Sequence, residues 1–452
     1  MKDMIRIANG QGFWGDSIDA PFNLVTQGPI DYLTLDYLAE VTMSIMQSQR
    51  QRDAGAGFAR DFPEMLRTVL PVCVERDIKI VTNAGGVNAE GCVDACRAIV
   101  NELSLGGLNI GVVEGDDILG RLDELIGAGA TLANMETGKP LANVRDSVVS
   151  ANVYLDTLTI AEALSGGAHI VLTGRTTDPG LVLGPMIHEF GWKRDDWDLL
   201  AAGTVAGHIL ECGAQATGGN FSRWQDVPDL TNIGYPIVEA YPDGRMVITK
   251  HESAGGMVTV DTVSEQLLYE LGDPKNYITP DVVVDFTSIK IEQVGPNRVG
   301  IGGVKGSPAT PTFKASINYS KGWKATGQLS ISGPKAIAKA HKVVDIIFSR
   351  LAAAGFTYQD TFSEIVGRLG PVDSPDTAMD CVNSIVLVVG VKDEDKGKVD
   401  RFGKELAPVI TNGPPGITGF AAGRPKARPI VAFWPALIDK SLVSAMVKVV
   451  EI

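Results

Sequence analysis

The sequence predicts an α/β protein: a mostly parallel sheet domain, a β-rich section and a smaller C-terminal α+β lobe. Three observations carry that reading. Apolar runs of strand length recur ahead of glycine-rich loops, and each is followed by a helical pattern; near residue 226 the chain turns to short extended runs joined by turn residues; from residue 331 helix and strand signals alternate again.

MIRIANG is the first strand, DIKIVTNAGG leads into the helical EGCVDACRAIV, LNIGVVEGDD leads into LGRLDELIGAGA, and AHIVLTGRTTDPG repeats the arrangement. Strand, loop and helix in that rotation form βαβ units, so residues 1–225 read as an α/β domain with both sheet faces covered. Residues 226–330 hold YPIVEAYPDGRMVITK and VVVDFTSIKIEQVGPNRVGIGGV, extended runs with the turn signal PDG, and read as a β-rich section packed on the first domain. Its one clear helix is SEQLLYELGDP, stopped at Gly272 and Pro274. Residues 331–452 read as helix PKAIAKAHKVVDIIFSRLAAAG, strand SIVLVVGV, helix DKGKVDRFGKELAPVI and strand PIVAFW.

The charge balance narrows the function classes. With 40 Lys and Arg against 54 Asp and Glu, the net charge of −14 argues against a general nucleic-acid or membrane-surface binder. The five cysteines form no CxxC pair, which indicates neither a disulfide framework nor a zinc ribbon and fits a reducing cytoplasm. Cys92 and Cys96 read as core. MKDMIRIANG lacks the pattern of a signal peptide, and no apolar run approaches the roughly 20 residues needed to cross a bilayer.

Read from Gly10, GQGFWG matches the dinucleotide fingerprint G-x-G-x-x-G, with Asp36 at about the distance of a ribose-binding carboxylate. Pro21 falls where the following helix should have its middle, Gly28 and Pro29 break it again, and Phe13 and Trp14 crowd the loop. A nicotinamide or flavin cofactor is therefore not expected, and neither is a metal: no HExxH or EF-hand pattern occurs, although Asp16, Asp178 and Glu252 could meet in space.

The chemistry concentrates in four loops. HIVLTGRTTDPG places Arg175 and Asp178 after a buried strand, where open α/β sheets collect ligands; arginine grips oxyanions and aspartate moves protons, or the two simply pin the turn before Pro179. TNAGGVNAEGC offers Asn83, Gly85 and Gly86 as an anion cradle at a helix start, or as a tight turn. Gly218, Gly219 and Asn220, with Gly255 and Gly256, offer amides for a developing enolate. His251 and Glu252 stand before the second glycine pair, His251 as a possible base. His169 and His208 read as structural, and Arg424, Lys426 and Arg428 form either an anion clamp or a solvated loop.

Several of these stretches together, IRIANGQGFWGD, LDYLAEVTM, VLTGRTTDPGLVLGP, GAQATGGNF, TVSEQLLYELGDPKNYITPDVVVDFT and GPPGITGFAAGRPKARPIVAFWPALI, resemble the acyclic terpene utilization AtuA family over nearly the whole chain. The resemblance implies bacterial catabolism of citronellol- and geraniol-like acids through coenzyme A thioesters. HESA before Gly255 departs from the more glycine-rich approach expected, which leaves the roles of His251 and Glu252 open.

These readings combine into one expectation: a cytoplasmic hydratase, dehydratase or isomerase that uses no cofactor and acts on an organic acid or its acyl-CoA thioester. Arg175 would hold the substrate, Asp178 or His251 would move the proton with Glu252 in reserve, and Gly12, Asp16, Asn83, Gly85 and Gly86 would complete the pocket. The alternative is a non-catalytic acyl-binding or partner-dependent subunit. A homo-oligomer, with or without a small partner subunit, is expected in either case.

Overall fold

The computed structural model describes residues 2–367, 382–419 and 423–452. The chain forms two compact units, Met1–Asn318 with Phe433–Ile452, and Tyr319–Ala432.

The first unit is built on a ten-stranded sheet. At its centre lie five parallel strands in the order β1 (Ile5–Gln11), β2 (Tyr32–Leu35), β3 (Lys79–Thr82), β6 (Ile170–Thr173) and β4 (Asn109–Glu114). Beyond β1 follow β7 (Ile237–Ala240), β8 (Met246–Thr249), β12 (Arg298–Gly302) and β11 (Lys290–Gly295), and beyond β4 follows β19 (Met446–Glu451), each antiparallel to its neighbour. The sheet expected to be mostly parallel is thus parallel only in its central half. Segments joined by tight turns can pair only antiparallel, and the turn-linked runs after residue 226 extend the sheet edge in that sense.

Side chains alternate across the parallel strands. Leu33, Leu35, Ile80, Ile110 and Leu172 are buried against α1 (Ala20–Gln27), α3 (Asp61–Arg76) and α4 (Ala89–Glu102), each burial contributing roughly 1.5–3 kcal/mol. Tyr32 points to the other face, where its hydroxyl donates to Glu189 at 2.7 Å in α7 (Gly180–Phe190). That face also carries α6 (Leu158–Ser165) and α8 (Trp197–Leu210). A Cβ on Gly111 of β4 would lie 2.7 Å from Ala163, so glycine is what lets α6 approach the sheet. Pro21 sits in the first turn of α1, where a missing N–H costs nothing, so the proline read as a helix breaker opens a helix instead. β5 (Val148–Val153) stands outside this sheet, and α2 (Thr42–Arg52) and α5 (Leu122–Gly127) lie on connections. The section after residue 226 also supplies α9 (Val260–Leu268), opened by a Thr259–Thr262 capping box, and a small sheet of β9 (Tyr277–Ile278), β10 (Val282–Asp285) and β13 (Lys305–Pro308) against α8.

The long β14 (Thr312–Ser332) carries the chain into the second unit. There an antiparallel sheet in the order β15 (Asp360–Val366), β16 (Ser384–Asp393), β14, β17 (Ile417–Gly419) buries Leu329, Ile331, Leu387 and Val389 against α10 (Ala336–Ala353), α11 (Lys396–Phe402) and α12 (Val409–Asn412). β18 (Arg428–Asp439) returns the chain to the first unit.

Candidate active site

The carboxyl ends of β1, β2 and β6 and the end of α8 surround a cleft of about 460 Å³, the place where open α/β sheets hold their ligands. Each element delivers a side chain there for a local reason. Asp36 follows β2 directly and is fixed by Asn83 at the end of β3: the Asn83 amide donates to Asp36 Oδ1 at 2.7 Å, while Asn83 Oδ1 accepts from the Tyr37 N–H at 2.8 Å. Glu211 caps the end of α8, and Glu40, Glu270 and Asp178 complete a ring of carboxylates on the cleft wall.

Arg175 lies beneath that wall, 1% exposed. Its Nη1 donates to the Leu38 carbonyl at 2.5 Å, its Nη2 pairs with Asp178 at 2.8 Å, and its guanidinium stacks on the Tyr154 ring at 4.2 Å. The Arg175 backbone N–H donates to the buried Asp116 at 2.8 Å. Held on so many sides, the guanidinium is turned to the protein: it pairs with Asp178 and lies among the buried charges around it, while the expected grip on a substrate carboxylate would need it to leave these partners.

The electrostatics single out Asp36 and Asp178. Burial pushes Asp36 well above the usual carboxylate range, the Asp178 carboxylate pushes it further, and Arg175 opposes both. Asp178, its side chain 36% exposed, is also raised, by burial against the pull of Arg175. Two interacting carboxyls of this kind retain a proton at a pH where a solvated carboxyl has lost it. Glu211 is raised by burial against His208, which lies 2.8 Å away; burial disfavours the His208 imidazolium, yet Glu211 lifts its pKa above the usual value. His208, expected to be structural, therefore backs a cleft carboxylate. Glu40 goes the other way: despite burial it is lowered by its backbone hydrogen bond and by Arg175 and Lys314, and it accepts from the Tyr154 hydroxyl at 3.0 Å.

Of the residues the sequence singled out, Gly12, Phe13, Asp36, Asp178 and Asn220 line this cleft, Asp36 having been noted only for its distance from the apparent fingerprint. Asp16 shapes its loop, accepting from Gly12 N–H at 2.9 Å and from the Tyr235 hydroxyl at 2.6 Å. A Cβ on Gly12 would lie 2.8 Å from the Cys212 backbone, so the glycine of the apparent dinucleotide fingerprint serves a close approach of the protein to itself. The amides expected to cradle an anion or enolate are already used. Gly85 and Gly86 donate to the Thr173 and Asn83 carbonyls, Gly218 and Gly219 to Gln215 and Ala214, and Gly255 and Gly256 to Asn232 and Ile233, at 2.6 to 3.3 Å. His251 and Glu252 do not line the cleft; His251 Nε2 meets the Leu24 carbonyl of α1 at 2.9 Å, and both residues line a separate hollow. Glu211, which the sequence reading passed over, stands one residue beyond the end of α8, as Asp36 stands one beyond β2, and that position was its signal.

Among the described residues, no group of three or more His, Cys, Asp or Glu side chains is arranged to hold a metal ion, and no helix is long and apolar enough to cross a membrane. The family model for the acyclic terpene utilisation family protein AtuA matches residues 5–449. No curated protein and no solved structure matches the chain.

Proposed function

The chain belongs to the acyclic terpene utilisation family AtuA, and from that premise we propose that it is a hydro-lyase that moves protons with carboxyl groups, adding or removing water on an organic acid or its acyl-CoA thioester. The observation that carries this reading is Asp36, which is buried, and Asp178, which meets the cleft, on one wall, both with raised pKa values and held by Asn83 and Arg175. In the dehydrating direction the proton kept by the pair passes to a substrate hydroxyl, the C–O bond breaks and water leaves. Glu211, backed by His208, takes a proton from the adjacent carbon, and its C–H electrons form the double bond.

The cleft charge favours this route over an enolate. Glu40, Glu211, Glu270 and the aspartate pair face the substrate with Arg175 behind them, so the cleft stabilises developing positive charge on a departing hydroxyl. The substrate's own anionic group would lie outside it.

The test is mass spectrometry of the protein incubated with hydroxylated and unsaturated acids and their acyl-CoA thioesters, without added cofactor. Gain or loss of one water, abolished in Asp178→Asn, supports the reading. No change across the panel removes it in favour of a partner-dependent acyl-binding subunit.

A further inference from the structure

At the opposite end of β1 from the active-site cleft lies a larger hollow of about 750 Å³, lined by Arg6, Lys250, Arg298, Glu239 and Glu252 among others. In a chain of net charge −14, three cations converge here. Glu239 is buried and shared: it pairs with Arg6 Nε at 3.2 Å and with Arg298 Nη2 at 2.5 Å, so one carboxylate answers two guanidinium groups. The two Nη groups of Arg6 and the Nε of Arg298 make no hydrogen bond to another described residue. Lys250 is 8% exposed, and its ammonium donates only to the carbonyls of Ala254 at 2.5 Å and His251 at 3.4 Å. Among the described residues no carboxylate lies within ion-pair distance of it; Glu252 is on the exposed rim.

A buried ammonium without a carboxylate is costly, and arginine forks with open N–H groups match the geometry of an oxyanion. We infer that this hollow binds a multiply charged oxyanion, the phosphate or carboxylate group of a small ligand, through Arg6, Arg298 and Lys250. Glu239 orients the two arginines and leaves their remaining donors open. The ligand supplies the negative charge that Lys250 lacks. The inference does not depend on the chemistry of the cleft.

Calorimetric titration of the full chain with pyrophosphate, and separately with citrate, tests it. Saturable binding of at least one probe is expected, falling with added salt, weakened about tenfold or more in Lys250→Met and in Arg298→Gln, and unchanged in Asp178→Asn. The preferred probe distinguishes a phosphate ligand from a carboxylate one. Arg298 is partly exposed, so Arg298→Gln keeps the test valid if Lys250→Met does not fold. No saturable binding of either probe at millimolar concentration, or equal affinity in the variants that fold, overturns the inference.

Discussion

Replacing Arg175 by methionine removes a buried cation and keeps most of the side-chain volume. Three interactions go with it: the bond to the Leu38 carbonyl, the pair with Asp178 and the stack on Tyr154. Breaking a buried ion pair by removing one partner costs about 3–5 kcal/mol. Asp178 is 36% exposed and solvent screens part of its charge, so the lower end, about 3 kcal/mol, is expected. The deficit should depend on pH with a definite sign. Asp36 and Asp178 already have raised values in the fold, and losing Arg175 raises them further. Native protein then binds more protons than unfolded chain, so stability falls as pH rises from the unfolded carboxyl pKa, about 4, to the folded one. The deficit is therefore smaller near pH 4 than near pH 8. Urea unfolding followed by tryptophan fluorescence reads the right unit, because Trp14, Trp192, Trp197, Trp224 and Trp434 belong to the first unit and only Trp323 to the second. A double variant with Asp178→Asn should recover part of the loss, since no unpaired carboxylate remains. A loss under about 1 kcal/mol, or a double variant that is simply additive, would refute the claim that Arg175 counters this charge.

Asp178→Asn and Asp36→Asn should each lower turnover on an accepted substrate by about a hundredfold or more while the far-ultraviolet dichroism stays unchanged; equal turnover in either would remove that carboxyl from the mechanism. Asp116 is raised by burial to about 7, so its ionisation opposes the fold as pH climbs from about 4 through 7. Asp116→Asn should flatten that decline, which is worth on the order of 4 kcal/mol, in unfolding midpoints measured across the range. His208 should hold its proton above the usual imidazole range, stabilising the fold at low pH and losing that contribution as pH rises through its own titration; Glu211→Gln should bring the titration down, as read by NMR of the ring protons. A Cβ on Gly207 would lie 2.3 Å from the Pro179 carbonyl, so Gly207→Ala should displace the Asp178–Pro179 turn, costing about 1–3 kcal/mol in thermal unfolding and lowering turnover.

The parallel core was legible because its strands are buried on both faces and stand as continuous apolar runs before glycine loops, as Lys79–Thr82 before Asn83 shows. The antiparallel flanks were legible as strands only. Nothing in YPIVEAYPDGRMVITK says whether a hairpin lies on a sheet or lengthens it, since that is decided by pairing to β1 far away in sequence. Loop glycines are ambiguous for a related reason. A glycine that opens space for a ligand and one that lets two backbones touch leave the same letter; at Gly256, where a Cβ would come within 2.3 Å of the Ile233 carbonyl, only the fold separates them.

Arg175 and Asp178 bear on chemistry most directly. As neighbours after a strand they read either as an anion grip with a proton-moving aspartate or as a pair that pins the turn before Pro179. Burial separates them: Arg175 is sealed under the wall at 1% exposure, while Asp178 meets the cleft. A sealed cation beneath carboxylates that line the cleft reverses the sign of the surface a ligand meets. It also opposes the rise that burial imposes on Asp36 and Asp178, and so favours their ionised forms. That arrangement fits a reaction whose transition state gains positive charge. The cations that would receive an anion are gathered instead around Glu239 at the other end of β1. If both proposals hold, binding of an anionic group and transfer of a proton should be separable by mutation, Lys250→Met affecting the first and Asp178→Asn the second.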